Sequence, residues 1–119
     1  MYRFAALNFA LAVSLLWSIP CFSHAKLQSS VPAANAQLAH APPTLTLNFS
    51  EQAQLAVLKL MSSGASVPVT VDRGAKPSST VVVALPALKP GTYQVEWSAI
   101  ASDDGHVTKG SFSFSILGS

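Results

Sequence analysis

The fold is decided by residues 93–116, which read YQVEWSAIASDDGHVTKGSFSFSI. From Tyr93 to Ala99 every second residue is apolar, and from Phe112 to Ile116 apolar residues alternate with serines. A period of two residues is typical of a β-strand that buries one face. The stretch therefore predicts two half-buried strands joined by a short polar segment.

Alternation of the same kind recurs in the chain after residue 24, and no segment there shows the 3.6-residue apolar period of an amphipathic helix. Further strands are predicted around Leu27 and over residues 45–49, 55–60, 67–71 and 80–85. Together these strands predict an all-β domain of about seven strands, an antiparallel β-sandwich or small barrel that is compatible with an immunoglobulin-like fold.

The segment from Val31 to Ala41 is rich in alanine and proline and has no strand character. We expect it to form a loop over one end of the sandwich. A short helix from Ala33 to Ala39 is the alternative.

The first residues of the chain have the order of a secretory signal peptide, since Arg3 precedes a mostly apolar run and a short segment with small residues. Cuts after Ser23 and after Ala25 both fit the small-x-small rule. The first cut gives a signal peptide of residues 1–23 and a single exported mature domain of residues 24–119.

Cysteine and charge exclude several classes of protein. Cys21, the only cysteine, is discarded with the signal, so the mature domain has neither a disulfide nor the thiolate that a blue-copper electron carrier needs. The net charge of the whole chain is +2, and its basic residues are scattered singly rather than clustered. Nucleic acid is therefore not an expected partner.

Two places in the sequence offer ligands for a metal. A cut after Ser23 would give His24 a free α-amine beside its imidazole, a bidentate nitrogen chelate for a transition metal. Asp104 and His106 are two residues apart, so in extended backbone they point to the same side, although Asp-Gly is also a favoured hairpin turn. An amine, two imidazoles and a carboxylate suit tetragonal copper(II) better than tetrahedral zinc.

With these residues in view, the chain resembles the CopC family of periplasmic copper-binding proteins over its whole mature length. The resemblance rests on four blocks in one order, at residues 24–33, 47–51, 88–97 and 102–114. It implies a Greek-key β-sandwich, often called cupredoxin-like, in which His24, Asp104 and His106 bind one copper(II) ion per chain. It also favours the cut after Ser23.

Four further residues bear on the site. Glu51 matches a carboxylate that the family places near the copper, and an exposed glutamate at a strand end is the alternative. His40 is a candidate accessory ligand, whereas Asp103 is expected to be a solvated turn residue. Met61 is the only methionine of the mature chain, so no separate copper(I) site is expected.

The leading hypothesis is an exported copper(II)-binding protein, a carrier or buffer in copper homeostasis and resistance. It would be monomeric, without enzymatic turnover, and the resemblance implies a CopD-type copper transporter in the inner membrane as a partner. One alternative is a copper-dependent oxidative enzyme built on an N-terminal histidine brace. Another is a metal-free immunoglobulin-like interaction module, which the strand pattern permits equally well.

Overall fold

The computed structural model describes residues 25–118, which form seven β-strands and no helix within that range. The strands are β1 (Leu27–Val31), β2 (Ala36–Leu38), β3 (Thr44–Ser62), β4 (Ala65–Val67), β5 (Ser78–Ala84), β6 (Gly91–Ala101) and β7 (Val107–Ile116). His24, the predicted signal peptide and the bond after Ser23 lie outside the described residues. No membrane-spanning helix is present in the part of the chain that the structure describes.

The two strands predicted first are β6 and β7, and they pair in antiparallel register from Gly91 to Ile100. Tyr93 lies opposite Phe114, and their rings stack with centroids 5.6 Å apart. The alternating residues of β6 are buried from Tyr93 to Ala101, because every second side chain of the strand faces the core. This hairpin confirms the interpretation of residues 93–116.

β3 is one continuous strand where the sequence predicted two. Its first part, up to Phe49, pairs with β1 and β5, and its second part, from Ala53, pairs with β6, although Ala53 itself also lies opposite Ser78 of β5. The main partners change across residues 50–52, so the strand passes from one layer of the curled sheet to the other. Strands that are remote in sequence thereby lie side by side, which confirms the predicted all-β sandwich with Greek-key character.

A bulge explains why two apolar patterns with different phase fit into one strand. Leu55 lies opposite Ala99 and Val57 lies opposite Ser98, so Ala56 is an extra residue on β3. The extra residue shifts the alternation by one position. Leu55 and Leu58 can therefore both be buried, although they are three residues apart.

Residues 31–41 contain a strand, so the predicted loop and the alternative helix over residues 33–39 are both wrong there. β2 pairs with β7 in parallel register, an exception to the expected antiparallel arrangement. The N–H of Leu117 also donates to the carbonyl of Leu38, at 2.7 Å. Three residues with weak strand character adopt this conformation because the edge of β7 offers backbone groups that need partners.

The strand predicted over residues 67–71 stops at its first residue. β4 ends at Val67 because Pro68 has no N–H to donate to a neighbouring strand. Val69 and Val71 remain half-buried and pack against the core. The apolar alternation of residues 67–71 thus predicts which side chains face the core, but the prediction that these residues pair as a strand is wrong after Val67.

One apolar core joins the two layers. Phe49 from the first part of β3 meets Trp97 of β6 edge to face, with ring centroids 5.4 Å apart. Leu45, Leu60 and Val95 are completely buried around them. The core holds the fold without a disulfide, since Cys21 is the only cysteine of the chain.

Tyr93 provides a test of how the loop before β6 is fixed. Tyr93 is buried, and its hydroxyl donates a hydrogen bond to the carbonyl of Lys89, at 2.7 Å. We expect Tyr93→Phe to lower the free energy of unfolding by about 1 kcal/mol, because the ring stays and the hydrogen bond is lost. Urea unfolding followed by tryptophan fluorescence measures this. Thr92→Val removes an exposed hydroxyl from the preceding position and should change the free energy of unfolding by less than about 0.5 kcal/mol. Equal effects of the two substitutions would show that the Tyr93 hydrogen bond does not stabilise the fold.

Candidate metal site

The turn between β6 and β7 is held by backbone hydrogen bonds on two sides. The N–H of Ala101 donates to the carbonyl of His106 at 2.9 Å, and that of Gly105 donates to the carbonyl of Ala101 at 3.0 Å. Gly105 has a φ of +71°, in the left-handed region that favours glycine. The N–H of Ser102 donates to the carbonyl of Gln52 on β3, at 3.0 Å. The turn is therefore fixed to the strand that changes layers.

Within this turn, Asp104 and His106 are in direct contact. One carboxylate oxygen of Asp104, Oδ1, accepts a hydrogen bond from the backbone N–H of His106 at 3.0 Å. The other, Oδ2, lies 2.8 Å from Nδ1 of the imidazole. The side chains are 33% and 63% exposed respectively, so both can be reached from solvent.

The contact between these side chains is compatible with a bound metal. The distance of 2.8 Å between Oδ2 of Asp104 and Nδ1 of His106 is that of a hydrogen bond, with the proton close to the line between the two atoms. Because that bond uses Nδ1, Nε2 is the ring nitrogen that an ion would bind while Asp104 orients the ring.

The start of the described chain is fixed beside this turn. Ala25 is completely buried, and its carbonyl accepts a hydrogen bond from the Thr108 hydroxyl at 2.7 Å. Lys26 exchanges two hydrogen bonds with Ser50 of β3: its N–H donates to the serine hydroxyl at 2.9 Å, and its carbonyl accepts from the serine N–H at 2.7 Å. We name the contacts of Ala25 and Lys26 with Thr108 and Ser50 the N-terminal anchor.

Glu51 directly follows the anchor residue Ser50. It lies within β3 and is half-buried, so the alternative of an exposed glutamate at a strand end is wrong. Gln52, the next residue, accepts the hydrogen bond from the 102–106 turn. The backbone therefore places Glu51 between the two segments that carry the predicted ligands.

The structure does not bring His40 to this place. His40 is exposed and follows β2, whose last residue, Leu38, lies opposite Ile116 at the far end of β7. The ten residues of β7 span about 30 Å in extended conformation and separate His106 from Ile116. Asp103 is exposed in the turn itself, as expected for a solvated residue.

In residues 25–118 no group of three or more His, Cys, Asp or Glu side chains is arranged to hold a metal. The described part of the site is thus the Asp104 and His106 pair next to the N-terminal anchor. Sequence reasoning found the pair and missed the anchor residues. The signal for Thr108 is that it shares the two-residue period of Phe112 and Phe114, which puts it on their side of β7.

Comparison with known proteins shows the family to which the chain belongs. A family model described as the CopC domain matches residues 27–117. The chain belongs to the CopC family. Copper resistance protein C of Escherichia coli is 39% identical over 105 residues, covering 79% of this chain and 82% of that protein. Copper resistance protein C of Pseudomonas syringae pv. tomato is 34% identical, covering 88% and 90% of the two chains.

Further relatives extend the match. Protein YobA of Escherichia coli K12 is 36% identical over 125 residues, covering 97% of this chain and 92% of its own length. The crystal structure of CopC from Methylosinus trichosporium OB3b superposes with a TM-score of 0.68 at 25% identity, covering 80% of this chain and 95% of that one. CopC membership gives the chain a copper-related function and confirms that it is not an enzyme, so the oxidative-enzyme alternative is wrong.

The contact between Asp104 and His106 predicts which ring nitrogen carries the proton. An ionised carboxylate only accepts hydrogen bonds, so Nδ1 of His106 must donate. For the neutral ring we therefore expect the Nδ1–H tautomer. Asp104→Ala should shift His106 toward the Nε2–H tautomer.

Long-range proton–nitrogen NMR of the metal-free protein distinguishes the two tautomers of His106. Asp103→Ala is the matched control, because it removes an exposed carboxylate from the same turn, and it should leave the tautomer unchanged. The same tautomer in the wild type and in Asp104→Ala would show that the carboxylate does not orient His106.

Proposed function

We propose that this protein is an exported copper(II)-binding protein of the periplasm that acts as a carrier or buffer in copper homeostasis and resistance. The observation that carries the proposal is the 2.8 Å contact between Asp104 and His106 next to an anchored chain start, in a member of the CopC family. Both the ligand pair and the anchor lie at one end of the sandwich.

The proposed ligands come from two segments that are remote in sequence. His24 supplies its α-amine and imidazole, and Asp104 and His106 supply a carboxylate oxygen and a second imidazole. Three nitrogens and one oxygen in a tetragonal arrangement are typical of copper(II). Glu51, half-buried beside the anchor, would add negative charge near one bound ion per chain.

The burial of Ala25 supports a mature chain that begins at His24. Ala25 is completely buried within the core, and its carbonyl is the acceptor for the Thr108 hydroxyl. A cut after Ala25 would remove a core residue and leave that hydroxyl without this acceptor, at a cost of about 1 kcal/mol or more. A cut after Ser23 keeps both contacts and frees the amine of the residue that precedes them.

The exposure of the pair favours a carrier or buffer. His106 is 63% exposed, so a ligand from another protein could approach a copper ion bound there and exchange with it. A CopD-type transporter of the inner membrane would be such an acceptor. The site requires no second copy of the chain, and we propose a monomer.

The test begins with the mass and N-terminal sequence of the exported protein, which we expect to start at His24. Titration with copper(II) in competition with a chelator should then show one tightly bound ion per chain. His24→Ala should weaken binding by at least about 100-fold, because loss of a direct ligand costs more than the 10- to 100-fold typical of an outer-shell partner.

His40→Ala is the matched control, since it removes an exposed histidine from the opposite end of β7 and should not change copper(II) affinity. A mature chain that starts at Lys26 would contradict the proposal. So would copper(II) binding of equal strength in His24→Ala and His40→Ala.

A further inference from the structure

We propose that Thr108 is a positioning residue for copper(II): its hydroxyl holds the carbonyl of Ala25 and so fixes the start of the described chain beside the turn that carries Asp104 and His106. The inference rests on the proposed copper(II) function. It assigns a role to Thr108, which is not itself a ligand of the metal. Its basis is the 2.7 Å hydrogen bond between two residues that are 83 positions apart in the chain.

The position of Thr108 in the sheet explains why its hydroxyl points to the chain start. Thr108 lies on β7 opposite Ala99 of β6, and Ala99 lies opposite Leu55 of β3. Residues that face each other across antiparallel strands share one side of the sheet, and Ala99 and Leu55 are buried. Thr108 therefore projects to the core side, where the completely buried Ala25 packs.

The hydrogen bond joins β7 to the residue that comes shortly before β1. These two strands are not neighbours in the sheet, because β3 and β6 lie between β1 and β7. The bond from Thr108 to Ala25 thus closes one end of the sandwich across its two layers. The Lys26 bonds to Ser50 fix the same peptide to β3, so residues 25 and 26 are held from both layers.

This double attachment acts on copper binding through preorganisation. A chelate made by residue 24 together with Asp104 and His106 needs the chain start and the turn to be held at a fixed separation. Threonine is β-branched and stiff at χ1, so its hydroxyl constrains the peptide more than a flexible side chain would. Without that hydrogen bond, ordering of the first residue would have to occur when copper binds, which should weaken binding about tenfold.

The experiment compares three variants of the mature chain. Thr108→Val keeps the shape and the β-branch but removes the hydroxyl, and Thr108→Ser restores a hydroxyl. Thr92→Val is the matched control, since it removes the exposed threonine hydroxyl that lies 3.0 Å from that of Ser115, at the other end of the β6–β7 hairpin. Copper(II) affinity is measured by chelator competition, and copper(II) release by stopped-flow transfer to the same chelator.

We expect Thr108→Val to bind copper(II) about tenfold more weakly and to release it faster, whereas Thr108→Ser should lie within about threefold of the wild type. Thr92→Val should behave as the wild type. In the metal-free protein, nitrogen-15 relaxation should show greater motion at Ala25 and Lys26 in Thr108→Val, with the core strands unchanged. Thr108→Ala serves the same comparison if the valine variant does not fold.

Equal copper(II) affinity in Thr108→Val and Thr92→Val, with unchanged relaxation at Ala25, would overturn the inference. That outcome leaves the proposed function standing, provided that the wild type binds copper(II) and His24→Ala does not. If the wild type binds no copper(II), the proposed function fails, and the relaxation measurement still decides whether Thr108 fixes the chain start.

Discussion

The passage of β3 from one layer to the other is the constraint on which the rest of the structure depends. Within three residues, Ser50 bonds the chain start at Lys26, and Gln52 accepts from Ser102 at the beginning of the β6–β7 turn. The same strand supplies Leu45 and Leu60 to the core on either side of this passage. A strand that stayed in one layer would connect neither the two halves of the core nor the two segments of the site.

A small domain without a disulfide must achieve this geometry with packing and backbone hydrogen bonds alone. The apolar core fixes where the strands run, and the hydrogen bonds at the end of the sandwich fix where the polar residues lie. Asp104 is an example of a polar residue fixed by hydrogen bonds. It lies on the surface, and one of its oxygens accepts a hydrogen bond from the backbone N–H of His106. The site can therefore be exposed and still have a defined shape.

The alternation of apolar residues allowed β6 and β7 to be predicted because each strand buries one face and shows the other to solvent. It did not reveal the continuity of β3, since Ala56 forms a bulge and the polar residues Ser50–Gln52 resemble a turn. Nor could it reveal β2, whose conformation comes from the unpaired edge of β7 rather than from its own side chains.

The contacts of the candidate site also differ in whether the sequence could predict them. Asp104 and His106 could be predicted as a pair from their spacing of two residues. They meet in the Asp-Gly turn, where Gly105 has a φ of +71°, rather than in the extended backbone that the prediction assumed, and their contact depends only on local conformation. The Thr108 hydrogen bond to Ala25 could not be predicted, since it joins positions 83 residues apart and depends on the closed sandwich. Short-range patterns indicate which residues have the right chemistry, whereas the tertiary fold decides which of them meet.

The arrangement also bears on how a carrier could give up its metal. The hydrogen bonds described above join protein groups in the 102–106 turn and in the N-terminal anchor, and Asp104 has hydrogen-bond donors from His106 on both of its oxygens. Departure of a copper ion would leave no buried carboxylate without a partner. In small zinc domains, by contrast, the metal supplies the folding free energy, so loss of the metal unfolds the chain. Here the core and the backbone hydrogen bonds hold the fold, so under the proposed function release of copper(II) would not require unfolding, and exchange of ligands at the exposed His106 would set the rate of transfer.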